Sequence, residues 1–118
     1  MQGQTLYDQA RPNGQGFRDV TPAAVAELRD TLHIVDVRQP GEYTGELGHI
    51  PGAVLVPLGN LATAASAWDP SAPIVLVCRS GGRSGNAAAQ LVAAGFSRVM
   101  NMAGGMIAYR AARLPAEP

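Results

Sequence analysis

The clearest chemistry in this chain lies in a short segment that joins a cysteine to paired glycines and two arginines. The segment reads Cys78-Arg79-Ser80-Gly81-Gly82-Arg83-Ser84 and directly follows an apolar run. Adjacent glycines let the backbone curl so that its N–H groups point inward, and such a cradle holds an anion. Arg79 and Arg83 add fixed positive charge on either side, so we expect the pKa of Cys78 to lie below the free value of about 8.5. The segment therefore predicts a thiolate nucleophile in an anion-binding loop.

A cysteine at the end of an apolar run can also be a small core residue. The flanking arginines and glycines, and the helix predicted to begin near Arg83, favour chemistry over packing. A cysteine protease or acyltransferase would need a histidine base beside the thiol, and the chain offers His33 and His49. Because His33 opens a predicted strand and His49 lies in a turn, we expect structural hydrogen bonds from both.

The composition excludes several other kinds of site. All nine basic residues are arginine, and a chain without lysine can form neither a Walker-type phosphate loop nor a Schiff base. One cysteine cannot form a disulfide within the chain, nor a cysteine-based zinc site with only two histidines in support. The formal net charge is zero, which favours neither nucleic acid nor a membrane surface as a partner. We expect no metal and no cofactor.

Apolar runs alternate with segments of helical composition, and this alternation sets the predicted fold. Runs rich in valine and isoleucine predict buried strands at residues 33–37, 53–56, 74–77 and 99–102. Helices are predicted at residues 40–45, 60–67, 83–94 and 104–112, after an earlier one that Thr21-Pro22 begins and that runs to Arg29. The pattern predicts an α/β domain with a mostly parallel central sheet and helices on both faces. Cys78 would then lie at the carboxyl end of a strand, where such sheets bind ligands.

The N-terminal residues 1–16 lack apolar periodicity and predict a flexible or loosely docked arm before a domain at residues 17–118. This arm also lacks the basic region and apolar run of a secretory signal. No segment reaches the roughly 20 apolar residues of a membrane helix. We therefore expect a cytoplasmic location.

Four motifs in order resemble those of single-domain rhodaneses. They are Asp36-Val37-Arg38, Gly48-His49-Ile50-Pro51-Gly52-Ala53, Cys78-Arg79-Ser80-Gly81-Gly82-Arg83-Ser84 and Gly104-Gly105-Met106. The resemblance covers residues from about 17 to 114. Tyr109 stands where relatives often carry tryptophan, at a position that we interpret as packing.

The resemblance implies a rhodanese-like fold and transfer of sulfur by double displacement. The Cys78 thiolate would attack the outer sulfur of thiosulfate, a small anionic donor, and sulfite would leave. The persulfide would then pass its sulfur to cyanide or to a thiol, including a protein thiol. Substrate binding would fall to Arg79, Ser80, Gly81, Gly82 and Arg83, whose amides face the negative charge.

Supporting roles are predicted for residues near this loop. Asp36 and Arg38 end another predicted strand and would orient the loop from the same edge. Alternatively, Arg38 pairs with Glu42 on the next helix. Ser80 and Ser84 would donate to substrate oxygens or cap the helix, and capping is favoured for Ser84.

Two other functions stay open at this point. Cysteine-based phosphatases and arsenate reductases also hold a thiolate and an arginine around an anion. The phosphatases, including a related branch with this fold, place five residues between the two, whereas residues 79–82 make four here. The tighter loop favours sulfur over phosphate. A persulfide relay or binding module that serves a partner protein would use the same Cys78.

Overall fold

The computed structural model describes residues 2–118 and, from residue 6 onward, their side chains as well. Six strands form one sheet in the order β1-β2-β6-β5-β3-β4. All neighbouring strands are parallel except β1 and β2. The strands are β1 Arg11–Pro12, β2 Arg18–Val20, β3 His33–Asp36, β4 Val54–Leu55, β5 Ile74–Val77 and β6 Val99–Met102.

The sheet is covered by helices on both faces, as the alternating pattern predicts. The helices are α1 Gln2–Gln9, α2 Pro22–Leu28, α3 Pro40–Tyr43, α4 Leu61–Ala65, α5 Gly82–Ala93 and α6 Gly105–Ala111, with 3₁₀ turns at Arg29–Thr31 and Leu58–Asn60. Thr21 caps α2 by accepting the N–H of Ala24 at 3.2 Å. Strand β4 is shorter than predicted because Ala53 closes a turn, with its N–H 3.0 Å from the carbonyl of Ile50.

Two apolar clusters lie on opposite faces of the sheet. Alternate residues of β5 contribute to different clusters: Ile74 and Leu76 pack with α4 and α5, whereas Val75 and Val77 pack with α2 and α6. Every residue of β5 is buried, which explains why its sequence is continuously apolar. Tyr109 is fully buried in the second cluster, so its predicted packing role is confirmed.

Three short elements were not predicted, and all lie near the N-terminus: α1, β1 and β2. Strand β2 pairs with β6, but its residues Arg18 and Asp19 are polar and carry no strand signal. Leu6 of α1 is buried in the second cluster. Arg18 lies over the ring of Tyr7 at 4.3 Å and donates to its carbonyl at 2.8 Å. The division of the chain into an arm and a domain at residue 17 stays a prediction.

None of the helices between residues 2 and 118 has the length and hydropathy that crossing a bilayer requires.

Candidate active site

Cys78 directly follows the central strand β5, and the chain turns at once into α5. Gly81 makes this turn with a φ of 107°, in the left-handed region that favours glycine. Its N–H points back toward the cysteine and lies 3.0 Å from Cys78 Sγ. The inward-facing amide that the paired glycines predict is therefore present at Gly81.

The Cys78 sulfur lies at the base of this loop. The residue is 1% exposed and packs against the first apolar cluster, whereas Arg79, Ser80 and Gly82 above it are exposed. Burial raises the pKa of Cys78, but hydrogen bonds from the Ser84 side chain and from the amides of Ser84, Gly81 and Ser80 outweigh it. The pKa therefore lies below its ordinary value, and the site can hold a thiolate.

Ser84 contacts the sulfur and does not cap the helix, so the capping expectation was wrong. Helix α5 begins at Gly82, and Gly81 is its N-cap. Ser84 therefore falls inside the first turn, where its buried hydroxyl lies 3.3 Å from Cys78 Sγ. The same oxygen lies 2.5 Å from Asn101 Oδ1 on β6.

The two loop arginines differ in their surroundings. Arg83 is paired with Glu42 of α3 through two hydrogen bonds of 2.6 and 2.7 Å. The hydrogen bond from Arg83 is the main cause that lowers the pKa of Glu42 to about 2. The Cys78 charge raises the pKa of Arg83 less than Glu42 does. Arg79 is exposed and lines a cavity of about 190 Å³ beside the loop. The pKa of Cys78 is thus lowered by hydrogen bonds from Ser84, Gly81 and Ser80, and not by the charge of the two arginines that the sequence also led us to expect.

Asp36 and Arg38 form a buried ion pair behind α3. Arg38 Nη2 and Nε lie 2.7 and 2.9 Å from the Asp36 carboxylate. Arg38 also donates to the carbonyls of Glu42 and Gly48, at 3.1 and 2.7 Å. The alternative in which Arg38 pairs with the Glu42 side chain is therefore wrong, because that carboxylate is bound by Arg83. The ion pair is connected to the loop indirectly: Arg38 binds the Glu42 carbonyl, and the Glu42 side chain binds Arg83.

The N-terminus of α6 holds the other side of the loop. The N–H groups of Met106 and Ile107 donate to the carbonyls of Cys78 and Arg79 at 2.8 and 3.0 Å. Gly105 permits this approach, because a Cβ there would lie 2.6 Å from the carbonyl oxygen of Cys78. Because α6 binds these two carbonyls, the backbone N–H groups later in the loop can point toward the sulfur.

Comparison with known sequences decides the family. The sequence model of the rhodanese-like domain matches residues 21–112. The chain belongs to the rhodanese-like domain family. The resemblance carried by the four motifs is thereby confirmed.

Curated relatives of this rhodanese-like domain include proteins of different length. Thiosulfate sulfurtransferase GlpE of Pseudoalteromonas translucida is 37% identical over 98 residues, which cover 81% of this chain and 91% of that protein. An uncharacterized protein of Synechocystis is 38% identical over 98 residues, or 81% of this chain and 54% of its own length. YrkF of Bacillus subtilis, a proposed sulfur carrier protein, is 40% identical over 77 residues, or 65% of this chain and 40% of its own. The rhodanese-like domain thus spans about half or less of the last two relatives.

Solved structures agree on the fold. A rhodanese-related protein from Thermoplasma volcanium is 22% identical with a TM-score of 0.77, covering 86% of this chain and 98% of that one. A protein of unknown function from Rhodopseudomonas palustris, suggested to be a tyrosine phosphatase, is 27% identical with a TM-score of 0.78 and covers 98% and 93%. The predicted α/β class with a mostly parallel sheet is confirmed as rhodanese-like.

The histidines of this rhodanese-like domain make structural contacts. His49 stacks on Tyr43 with ring centres 3.8 Å apart, and its Nδ1 lies 3.0 Å from the Tyr43 carbonyl. His33 meets Trp68 edge-on at 4.7 Å, and its ring forms no hydrogen bond to another described side chain or backbone group, so the hydrogen bond predicted for His49 is found and the one predicted for His33 is not. Neither histidine forms a hydrogen bond to Cys78 within residues 2–118, and no cluster of metal-binding side chains occurs in that range.

Five residues that contact the loop or the partners of the sulfur were not predicted to do so: Glu42, Asn101, Gly105, Met106 and Ile107. Gly105 and Met106 belong to a motif that carried the resemblance, but their bracing of the loop has no local signal. Asn101 has a local sequence signal, because it is a polar residue inside an apolar run that predicts a buried strand. A buried polar group needs a hydrogen-bond partner.

Proposed function

We propose that this rhodanese-like domain is a thiosulfate sulfurtransferase that carries sulfane sulfur as a persulfide on Cys78. The observation that supports this most directly is the position of Cys78 Sγ, 3.0 Å from the N–H of Gly81 at the carboxyl end of the central strand. The hydrogen bonds that lower the pKa of Cys78 favour the nucleophilic thiolate without a general base.

The proposed reaction is a double displacement. The Cys78 thiolate attacks the outer sulfur of thiosulfate, a sulfur–sulfur bond forms, and the bond to the central sulfur breaks with its electron pair leaving on sulfite. An acceptor nucleophile, cyanide or a thiolate, then attacks the outer sulfur of the persulfide and releases the Cys78 thiolate. Negative charge stays near the same loop throughout, so the amide of Gly81 and the hydroxyl of Ser84 stabilise each species.

Substrate binding is assigned to the exposed rim of the loop. Arg79 supplies an accessible cation for the sulfonate end of thiosulfate, while Ser80 and the amides of Gly81 and Gly82 offer hydrogen-bond donors. Arg83 acts together with Glu42, because the two side chains are already paired. A thiol acceptor, on a small molecule or a protein, fits a reducing cytoplasmic setting.

The proposal is tested by intact-protein mass spectrometry after incubation with thiosulfate. We expect a gain of one sulfur atom that a reductant removes and that Cys78→Ser abolishes, because a hydroxyl is a poor nucleophile at neutral pH. Thermal unfolding of the variant checks that the fold is kept. Full sulfur transfer by Cys78→Ser, or no adduct on the unaltered protein, would end the proposal.

A persulfide relay is the second candidate, favoured by the likeness to a proposed sulfur carrier protein. A relay takes sulfur from a partner's persulfide and reacts slowly with thiosulfate. Measuring both donors side by side distinguishes the two functions. An aryl phosphate assayed in parallel tests the phosphatase alternative, for which the four-residue spacing between Cys78 and Arg83 predicts no turnover.

A further inference from the structure

The hydroxyl of Ser84 faces more acceptors than it can serve. It lies 3.3 Å from Cys78 Sγ, 3.2 Å from the Gly81 carbonyl and 2.5 Å from Asn101 Oδ1. A serine hydroxyl has one proton to donate and can accept through its lone pairs. If that proton goes to Asn101, the sulfur loses a donor, so the shortest of the three contacts competes with the thiolate.

The amide of Asn101 can remove this competition. Its two ends have nearly the same shape, so a half-turn of the amide places Nδ2 where Oδ1 lies and moves no other group. In that orientation Nδ2 donates to Ser84 Oγ, and the hydroxyl proton is free for the sulfur. A charged acceptor forms the stronger hydrogen bond, so a thiolate takes this proton in preference to the Gly81 carbonyl.

We propose that Asn101 is a positioning residue that donates through Nδ2 to Ser84 Oγ and thereby directs the Ser84 proton to Cys78 Sγ. The placement of Asn101 supports this role. It lies on β6 beside Leu76 of β5 and beneath the first turn of α5, where Nδ2 is 3.9 Å from the place of a Cβ on Gly85. It is buried, and a buried amide within an apolar strand is costly unless it is hydrogen-bonded.

The inference extends the proposed function, since it concerns the thiolate that attacks the donor, but it is tested without sulfur transfer. The pH dependence of Cys78 alkylation by iodoacetamide reports the thiolate fraction directly. Among the charged groups near the loop, Arg83 on α5 interacts with Cys78, with Glu42 of α3 and with Asp36 at the end of β3, and Arg79 directly follows Cys78 in the chain. None of them changes in the variants below.

Asn101→Leu decides the direction of the hydrogen bond. If Asn101 donates to Ser84, its loss leaves the hydroxyl undirected, and the alkylation midpoint rises by about half a pH unit or more, the size expected for one hydrogen bond. If Asn101 instead accepts, its loss releases the proton to the sulfur and the midpoint falls. The exposed Asn60→Leu is the matched control, for which we expect no shift.

The same variants in a Ser84→Ala background show whether the effect passes through Ser84. We expect Asn101→Leu to leave the midpoint of that background unchanged. Two results would overturn the inference: a midpoint that falls or stays constant in Asn101→Leu when Ser84 is present, or an equal rise with Ser84 and with Ser84→Ala. Asn101→Asp is a second variant of native size, and its carboxylate can only accept a hydrogen bond. We expect it to raise the alkylation midpoint more when Ser84 is present than in the Ser84→Ala background.

A failure of the proposed function gives a different result. If Cys78 gains no sulfur from thiosulfate while the alkylation midpoints behave as predicted, the enzyme assignment fails and the role of Asn101 stands. If sulfur is transferred but Asn101→Leu lowers the midpoint, the positioning role fails and the enzyme assignment stands.

Discussion

At Cys78, the sulfur accepts hydrogen bonds from the Gly81 amide at 3.0 Å and from the Ser84 hydroxyl at 3.3 Å, and the amides of Ser84 and Ser80 also lower its pKa. Arg83 is charged, but its guanidinium is paired with the Glu42 carboxylate and makes no hydrogen bond to the sulfur. Hydrogen bonds therefore stabilise the thiolate form of Cys78. The pairing of Arg83 with Glu42 has a second consequence. The rim of the loop presents less net positive charge to a dianion than the sequence alone indicates.

Replacing Glu42 tests this charge balance. In Glu42→Gln the guanidinium of Arg83 keeps a neutral partner and regains its field, so we expect the KM for thiosulfate to fall by about fivefold, equivalent to about 1 kcal/mol. The effect is measured by steady-state kinetics and should shrink at high salt. Asp30→Asn is the control. It makes the same charge change in the 3₁₀ turn before β3, at the amino end of that strand and away from the loop. An unchanged or higher KM in Glu42→Gln would contradict the argument.

At the scale of elements, the loop is shaped by the helix that follows β6. The first N–H groups of α6 bind the carbonyls of Cys78 and Arg79. This contact needs a residue without a side chain at Gly105, which has a φ of 60°. Gly105 thus shapes the Cys78 loop although it lies far from that loop in the sequence.

Gly105→Ala should damage both stability and sulfur transfer. The added Cβ would lie 2.5 Å from the backbone of Arg79, so the loop must move, and the left-handed φ adds a further cost. We expect a loss of about 2 to 4 kcal/mol in the free energy of unfolding and about a tenfold or greater loss of kcat/KM. Denaturant titration and a thiosulfate assay measure these. Gly59→Ala, which meets nothing within 4 Å, should change neither, and equal behaviour of the two variants would refute the bracing role.

The elements that the sequence predicts well are those whose signal is local. Strands β5 and β6 have the predicted limits because all their residues are buried and all but Asn101 are apolar. The Cys78 loop was predicted because its residues are consecutive. The partner of Arg83 was not, since Glu42 lies 41 residues away and meets it only after α3 packs beside the loop. Helix α1 was missed because, from residue 6 onward, it contributes to the core through Leu6 and the partly buried Tyr7, which are adjacent and show no helical periodicity.

The strand order explains how the whole molecule supports the site. Strand β5 lies between β3 and β6, so the loop that follows it is flanked on one side by α3 and on the other by α6. Both flanking elements contact the loop, through Glu42 and Met106. Strands β1 and β2 lie on the far side of β6 from β5, and α1 packs against α2. Stability contributed there is therefore separable from the chemistry.

Leu6→Ala tests this separation. Leu6 is 9% exposed and packs in the second apolar cluster, so its truncation should lower the free energy of unfolding by about 2 kcal/mol and Tm by about 8 °C. Sulfur transfer per folded molecule should stay unchanged, because α1 contains none of the site residues. Asp8→Ala, an exposed change on the same helix, should leave Tm nearly constant. A Tm unaffected by Leu6→Ala would mean that α1 adds little to the core, and reduced activity at full stability would mean that the N-terminal helix influences the loop.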